Sequence, residues 1–164
     1  MPQSDPKLAL REALRKRGEE DEWTKLQGEL YGPLMREAKP FPGAAETMRV
    51  WQSSGCEVFV VSHRTRHPIA GEKHDLHAYA RSWIRDTGLP ATDVFLEESK
   101  ASKIARIALL GCSVFVDDLP EILAHPDFPT MTRKILFDPG ASHRAFDNVK
   151  AASTWDHIKE LVGV

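Results

Sequence analysis

From residue 41 onwards, short apolar runs alternate with longer stretches in which apolar residues recur every three or four positions. The apolar runs predict buried strands, at 56–61, 94–96, 114–116 and 134–137. The longer stretches predict amphipathic helices, at 44–53, 75–87, 99–110, 119–125 and 155–162. Strands that alternate with helices predict a mostly parallel sheet with helices on both faces, which is a three-layer α/β sandwich.

Residues 1–40 have a different pattern and contain no apolar strand. Asp5-Pro6 is typical of a helix start, and we expect one helix over 6–18 and a second over 20–37 that breaks at Gly32-Pro33. The chain is therefore divided into an N-terminal helical segment, 1–40, and an α/β core, 41–164. The helical segment either forms a small cap over the core or covers its sheet.

Composition narrows the functional class. Hydrophobic residues make up 41% of the chain, charged residues make up 28%, and the net charge is −2. This balance gives no bulk attraction to nucleic acid or to an anionic membrane. No apolar run approaches the roughly 20 residues of a membrane span, and the polar start at 1–5 argues against a secretory signal. Cys56 and Cys112 fit no zinc or redox spacing, so we expect buried free thiols in a cytoplasmic protein.

Two acidic residues, Asp117 and Asp118, follow the apolar run Val114-Phe115-Val116. Ligand sites in open α/β sheets lie at the carboxyl ends of the strands. Adjacent carboxylates repel each other unless a positive charge compensates them, and Mg²⁺ is a natural partner because hard cations prefer oxygen ligands. The alternative is that both residues merely end the strand and cap the next helix.

Two further segments carry candidate phosphate-binding groups. Ser62, His63 and Arg64 follow the strand at 56–61, where a hydroxyl, backbone amides and an arginine fork suit a phosphate. Ser62 alternatively caps a turn, and the basic loop after it is alternatively a solvated loop. Lys103 lies near the start of a helix, where a cation gains only if an anion sits opposite. Lys100 is its rival, and a solvated surface lysine is the alternative for either.

Val60-Val61-Ser62, then Lys103, then Val116-Asp117-Asp118 resembles the second, third and fourth motifs of the haloacid dehalogenase-like (HAD) phosphohydrolase superfamily. The resemblance covers residues 40–162. It implies a Rossmann-like sheet and a Mg²⁺-dependent phosphatase site for a small phosphorylated substrate. Ser62 would bind the phosphoryl group, Lys103 would neutralise charge, and Asp117 and Asp118 would hold the metal. Phosphoryl transfer depends mainly on such positioning and charge compensation.

The first motif of that superfamily, an apolar strand ending in Asp-x-Asp that supplies the nucleophile, is not found here. The nearest imitation is Ile135-Leu136-Phe137-Asp138-Pro139-Gly140, which lacks the second acid and follows the other motifs. It is either the superfamily's late strand or the product of a circular permutation. We therefore expect a sheet without its usual central first strand, no phosphatase turnover, and either self-association or a partner strand that fills the gap. A late start, a fragment or a true deletion would each explain the absence.

Other chemistry-bearing residues receive structural interpretations. His74 and His77 stand three residues apart at a helix start, a spacing that can bind zinc. No further ligands are evident in the sequence, so we expect a solvated helix start. Trp83 and Trp155 are expected to anchor the core.

Overall fold

Helices and strands alternate through the core, in the order that the sequence pattern predicts. The computed structural model describes residues 6–143, 146 and 148–163. The helices that it contains are α1 Pro6–Lys16, α2 Glu20–Tyr31, α3 Ala44–Ser53, α4 Leu76–Asp86, α5 Lys100–Leu110, α6 Pro120–Leu123 and α7 Trp155–Val162, with a 3₁₀ helix at Pro33–Glu37. Its strands are β1 Phe59–His63, β2 Asp93–Glu97, β3 Val114–Asp117, β4 Arg133–Phe137 and β5 Val149–Ala152.

Most element boundaries agree with the sequence predictions, with two main differences, of which the first concerns the site. Residues 56–58 precede β1, which instead continues through Ser62 and His63, so Ser62 lies within the strand rather than after it. β5 was missed because Val149-Lys150-Ala151-Ala152 contains a single large apolar residue. The predicted break within the second N-terminal helix is confirmed, because α2 ends at Tyr31 and the 3₁₀ helix Pro33–Glu37 follows Gly32. The Asp5 cap lies outside the described residues.

The strands form two small parallel sheets, so the parallel pairing that the sequence predicts is confirmed and is divided between two sheets. β1 pairs with β2, and β3, β4 and β5 pair in that order. Val61 lies opposite Phe95 in the first sheet, and Val116 lies opposite Ile135 in the second. In both sheets the pairing is parallel, so the architecture is mixed α/β. Within the described residues, β1 and β3 each have a neighbouring strand on one side alone.

One hydrophobic cluster joins the two sheets. It combines Val61 of β1, Phe115 of β3 and Leu136 of β4 with Ile104 and Ile107 of α5. A second cluster packs α7 against the three-stranded sheet, with Ile158 fully buried beside Ile135, Phe137 and Trp155. The predicted role of Trp155 as a core residue is therefore confirmed. Trp83 is half-buried and donates a hydrogen bond from Nε1 to the Ala38 carbonyl at 2.9 Å.

Helix α2 packs closely against the loop that joins β1 to α4. A Cβ atom on Gly28 would lie 2.9 Å from Cβ of Pro68 in that loop, so only glycine allows this approach. Trp23 is buried on the same helix. The N-terminal helical segment thus reaches the segment that carries the predicted phosphate-binding residues.

The two cysteines are free, as the sequence predicts, but both are only half-buried. The expectation of buried thiols is therefore wrong in the degree of burial. Cys56 precedes β1 and Cys112 precedes β3, and these two strands belong to different sheets.

Candidate functional site

A cavity of about 370 Å³ lies where the ends of β1 and β3 meet the start of α5. The lining includes Ser62 and His63 at the end of β1, Arg64 just after it, Lys103 of α5, and Asp118 just after β3. Helix α2 and the loop after β1 supply much of the remaining wall, through Thr24, Gln27, Gly28, Tyr31, Thr65, Pro68 and Ile69. The convergence follows from the fold, because ligand sites in parallel α/β sheets form at the carboxyl ends of the strands.

Beneath the cavity, the Lys103 ammonium forms a buried ion pair with Asp117. Both residues are 6% exposed. The ammonium also lies 5.6 Å from the centre of the Phe115 ring, a distance at which cation–π attraction contributes. Lys103 stands in the first turn of α5, where the helix dipole disfavours a cation. Asp117 is the opposing anion that the position requires.

The carboxylate of Asp117 is engaged on both oxygens. Oδ2 faces Lys103, and Oδ1 accepts a hydrogen bond from the Leu119 amide at 3.0 Å. Burial raises the pKa of the Asp117 carboxyl, although the Lys103 charge and the Leu119 amide pull it down. Asp117 is therefore held as the structural partner of Lys103.

Lys100, the rival of Lys103, is directed elsewhere. Its ammonium pairs with Glu121 at 2.9 Å, and both side chains are about half exposed. Lys100 is not among the residues that line the cavity. The geometry therefore favours Lys103 as the lysine of the site.

His63, the last residue of β1, and Arg64, which follows it, differ in burial and in contacts. Arg64 is half-buried, donates from Nη1 to the Tyr31 carbonyl at 3.2 Å, and lies 4.8 Å from the centre of the Tyr31 ring. Burial lowers the pKa of Arg64, but an arginine stays charged. His63 is exposed at the cavity rim. Arg64 is thus a fixed positive charge in the wall rather than part of a solvated loop.

The two aspartates at the end of β3 present different geometries to a cation. Asp118 is exposed and borders the cavity, whereas Asp117 turns inward to Lys103. Mg²⁺ in proteins usually takes one or two carboxylates, several waters and substrate phosphate oxygens. Asp118 fits that role as it stands. The prediction that Asp117 is also a ligand would require its carboxylate to be shared with Lys103.

The helix-capping alternative for this pair applies in part. Helix α6 begins after Leu119, which is its N-cap residue, and no side chain caps it. Asp117 does accept the Leu119 amide, so it organises the turn. Asp118 caps no helix within the described residues and borders the cavity instead.

Asp138, the nearest imitation of a first-motif aspartate, organises its own loop. Its carboxylate accepts hydrogen bonds from the Ser142 amide at 3.1 Å, the Ser142 hydroxyl at 3.1 Å and the His143 amide at 2.9 Å. Burial alone would raise the pKa of Asp138, but these bonds outweigh it and lower the pKa below the ordinary 3.8. A carboxylate with this many donors is a poor nucleophile candidate, in agreement with the late-strand interpretation.

Asp138→Asn is expected to lower the free energy of unfolding at pH 7 by about 1–3 kcal/mol, because the hydrogen bonds from Ser142 and His143 lose their charged acceptor. A lowered folded-state pKa stabilises the fold fully above the unfolded value near 3.8 and loses that stabilisation as pH falls through the folded pKa. Urea unfolding between pH 7 and pH 3 should therefore show the gap between wild type and variant closing in acid. A gap that stays constant over this range would contradict the assignment.

One cluster of chemistry-bearing residues was missed from the sequence. His74 Nε2 lies 2.9 Å from Glu29 Oε1 and 3.6 Å from Glu72 Oε2, while His77 Nε2 lies 2.7 Å from the Arg64 carbonyl. The two histidines therefore do not share a site, as their spacing alone had allowed. The expectation of a solvated helix start is wrong for His74, whose side chain is 14% exposed.

No protein-family model, curated protein or solved structure matches this chain. The resemblance to the HAD superfamily therefore stays a prediction that rests on the order and placement of Ser62, Lys103, Asp117 and Asp118. Among the helices of the described ranges, none has both the length and the apolar character needed to cross a bilayer.

Proposed function

We propose that this chain carries the phosphate- and Mg²⁺-binding part of an HAD-like phosphohydrolase site and binds a small phosphomonoester without hydrolysing it. The observation that carries the proposal is that Ser62, Lys103 and Asp118, which are distant in sequence, line one cavity at the ends of β1 and β3 and the start of α5. The two free cysteines are compatible with the cytoplasmic location that we also propose.

Each of these residues has a distinct part in binding. The Ser62 hydroxyl donates to a phosphate oxygen, and the Lys103 and Arg64 charges attract the phosphate dianion. Asp118 would hold Mg²⁺, which when bound offsets phosphate charge and polarises the phosphorus–oxygen bonds. Asp117 acts on Lys103, since it fixes the ammonium at the cavity floor.

The residues at the cavity also support binding rather than turnover. Within the described part of the chain, Asp118 is the one carboxylate in the cavity lining. Phosphatases of the superfamily that the sequence resembles need two further carboxylates, as nucleophile and as general acid–base. Asp117 is occupied by Lys103 and Asp138 by its loop.

The split sheet favours a second candidate, in which a partner polypeptide completes the enzyme. β1 and β3 are apolar, both end at the cavity, and each has one edge without a strand neighbour among the described residues. A partner's extended apolar segment could pair with these edges by strand addition. An acid at the end of that segment would then face Lys103 and Asp118.

The purified chain should show no Mg²⁺-dependent hydrolysis of p-nitrophenyl phosphate above the level of Asp118→Asn. Asp127→Asn is the matched control, because Asp127 is 85% exposed and lies outside the cavity lining. Turnover by the chain alone that Asp118→Asn abolishes and Asp127→Asn preserves would overturn the binding-only proposal. Turnover that arises only in a complex with a second polypeptide would favour the completed enzyme.

A further inference from the structure

The second concentration of reactive side chains lies between α2 and the loop that leads to α4. Glu29 projects from α2, and Glu72 and His74 belong to the loop. The three ligand atoms, one from each residue, all lie within 4.8 Å of one another. Glu29 lies more than 40 residues before Glu72 and His74 in the sequence, so the fold brings it to them.

We propose that Glu29, Glu72 and His74 form a zinc site that fastens this loop to α2. Zinc binds imidazole nitrogen and carboxylate oxygen at about 2.0–2.2 Å, and tetrahedral geometry then separates neighbouring donor atoms by about 3.3 Å. The separations from His74 Nε2 to the two carboxylates are 2.9 and 3.6 Å, which bracket that value. Small changes in side-chain torsion suffice to complete three of four positions, and water can take the fourth.

The donor set selects the metal class. An imidazole ligand suits zinc and other late first-row metals, whereas Mg²⁺ and Ca²⁺ prefer oxygen ligands alone. Two carboxylates and a neutral imidazole carry a formal charge of −2, which a divalent ion compensates. Lys25, the lysine of α2, is engaged with Glu22 at 2.8 Å rather than with Glu29.

The surroundings of His74 hold its ring in place. Its ring meets the Tyr79 ring edge-on with centroids 6.0 Å apart. A Cβ atom on Gly32 would lie 3.2 Å from the His74 ring, so a glycine leaves room for it. A preplaced imidazole reduces the entropy that ion binding must overcome. Glu72, which is 81% exposed, is the ligand that completes the set from solvent.

Zinc at this position would stabilise one wall of the cavity. Gly28 and Tyr31 of α2 and Pro68 of the loop all line it, and the zinc ligands lie on the same two segments. The ion would thus act as a structural clamp and not as a reactant. This inference rests on the α2–loop geometry and holds whether or not the cavity binds phosphate.

Calorimetric titration of Zn²⁺ alone into the chelator-treated full chain tests the proposal. We expect one equivalent to bind, with the affinity lowered at least about tenfold in Glu72→Gln, since even outer-shell metal partners contribute about 10–100-fold. Glu57→Gln makes the same chemical change at another exposed glutamate and should bind as wild type. Because the Glu72 side chain is largely exposed, we expect Glu72→Gln to fold as wild type does. An excess of Mg²⁺ should not displace the zinc.

A second readout locates the ion independently of affinity. Amide hydrogen exchange over residues 66–75 should slow on zinc addition in wild type and in Glu57→Gln, but not in Glu72→Gln. X-ray absorption of the zinc complex should show one imidazole among light-atom ligands. Absence of zinc binding, equal affinity in Glu72→Gln, or loop exchange that zinc leaves unchanged would each overturn the proposal.

Discussion

The free energy of unfolding is expected to fall by about 3–5 kcal/mol when Lys103 is replaced by alanine. Asp117 is 6% exposed, and its Oδ2 faces Lys103. Without the ammonium, the buried carboxylate must either stay charged without its partner or take up a proton. The raised pKa of Asp117 already reflects the cost of its burial, and both outcomes destabilise the fold at neutral pH.

Lys100→Ala is the matched control on the same helix. Its ion pair with Glu121 is about half exposed, and pairs of this kind contribute about 0–1 kcal/mol. Chemical denaturation at pH 7 should therefore separate the two variants clearly. Equal effects would contradict the assignment of Lys103–Asp117 as a buried structural pair. A double variant, Lys103→Met with Asp117→Leu, should be more stable than Lys103→Ala, because replacing both partners leaves no buried charge.

The second large effect is expected for Ile107→Ala, at about 2–5 kcal/mol of unfolding free energy. Ile107 has no solvent exposure and belongs to the cluster that includes Val61 of the first sheet and Phe115 of the second. Truncation leaves a cavity at the place where the two sheets share their core. Leu109→Ala, two residues further along α5, removes a side chain that is 77% exposed and should change stability by less than about 0.5 kcal/mol.

This pair of variants also tests whether the sheets unfold together. A shared core predicts a single cooperative transition for wild type and for both variants, measured by tryptophan fluorescence and by far-ultraviolet circular dichroism. Two separate transitions, with Ile107→Ala affecting one of them alone, would contradict the shared core.

The strands that could be predicted from the sequence are those built from several consecutive apolar residues. Consecutive large apolar residues occur in β3, at Val114-Phe115-Val116, and in β4, at Ile135-Leu136-Phe137. These side chains are buried or half-buried on the two faces of the second sheet. β5 escaped prediction because an edge strand needs few large apolar residues, and its Lys150 and Ala151 are exposed. The mostly parallel pairing was predicted, but its division into two sheets could not be read from the apolar pattern of the single strands.

The sequence predicted which residues belong to the candidate site better than it predicted the role of each residue. Ligand sites in α/β folds form at the carboxyl ends of the strands, so Ser62 near the end of β1 and Asp118 after β3 could be expected near Lys103. Asp117 is the last residue of β3 and pairs with Lys103, whereas Asp118 follows the strand and borders the cavity. Their roles therefore differ, although the sequence analysis treated both as metal ligands. The Glu29, Glu72 and His74 cluster had no local signal, because it depends on how a loop packs on α2.

The measurement that tests the central claim most directly is calorimetric binding of inorganic phosphate to the chain in the presence and absence of Mg²⁺. We expect phosphate to bind, Mg²⁺ to strengthen binding, and Asp118→Asn to remove the Mg²⁺ effect while Asp127→Asn preserves it. Chemical-shift changes should centre on the amides of Ser62 and Lys103. Phosphate binding that Mg²⁺ and Asp118→Asn both leave unchanged, or no binding at all, would contradict the proposed phosphate and metal site.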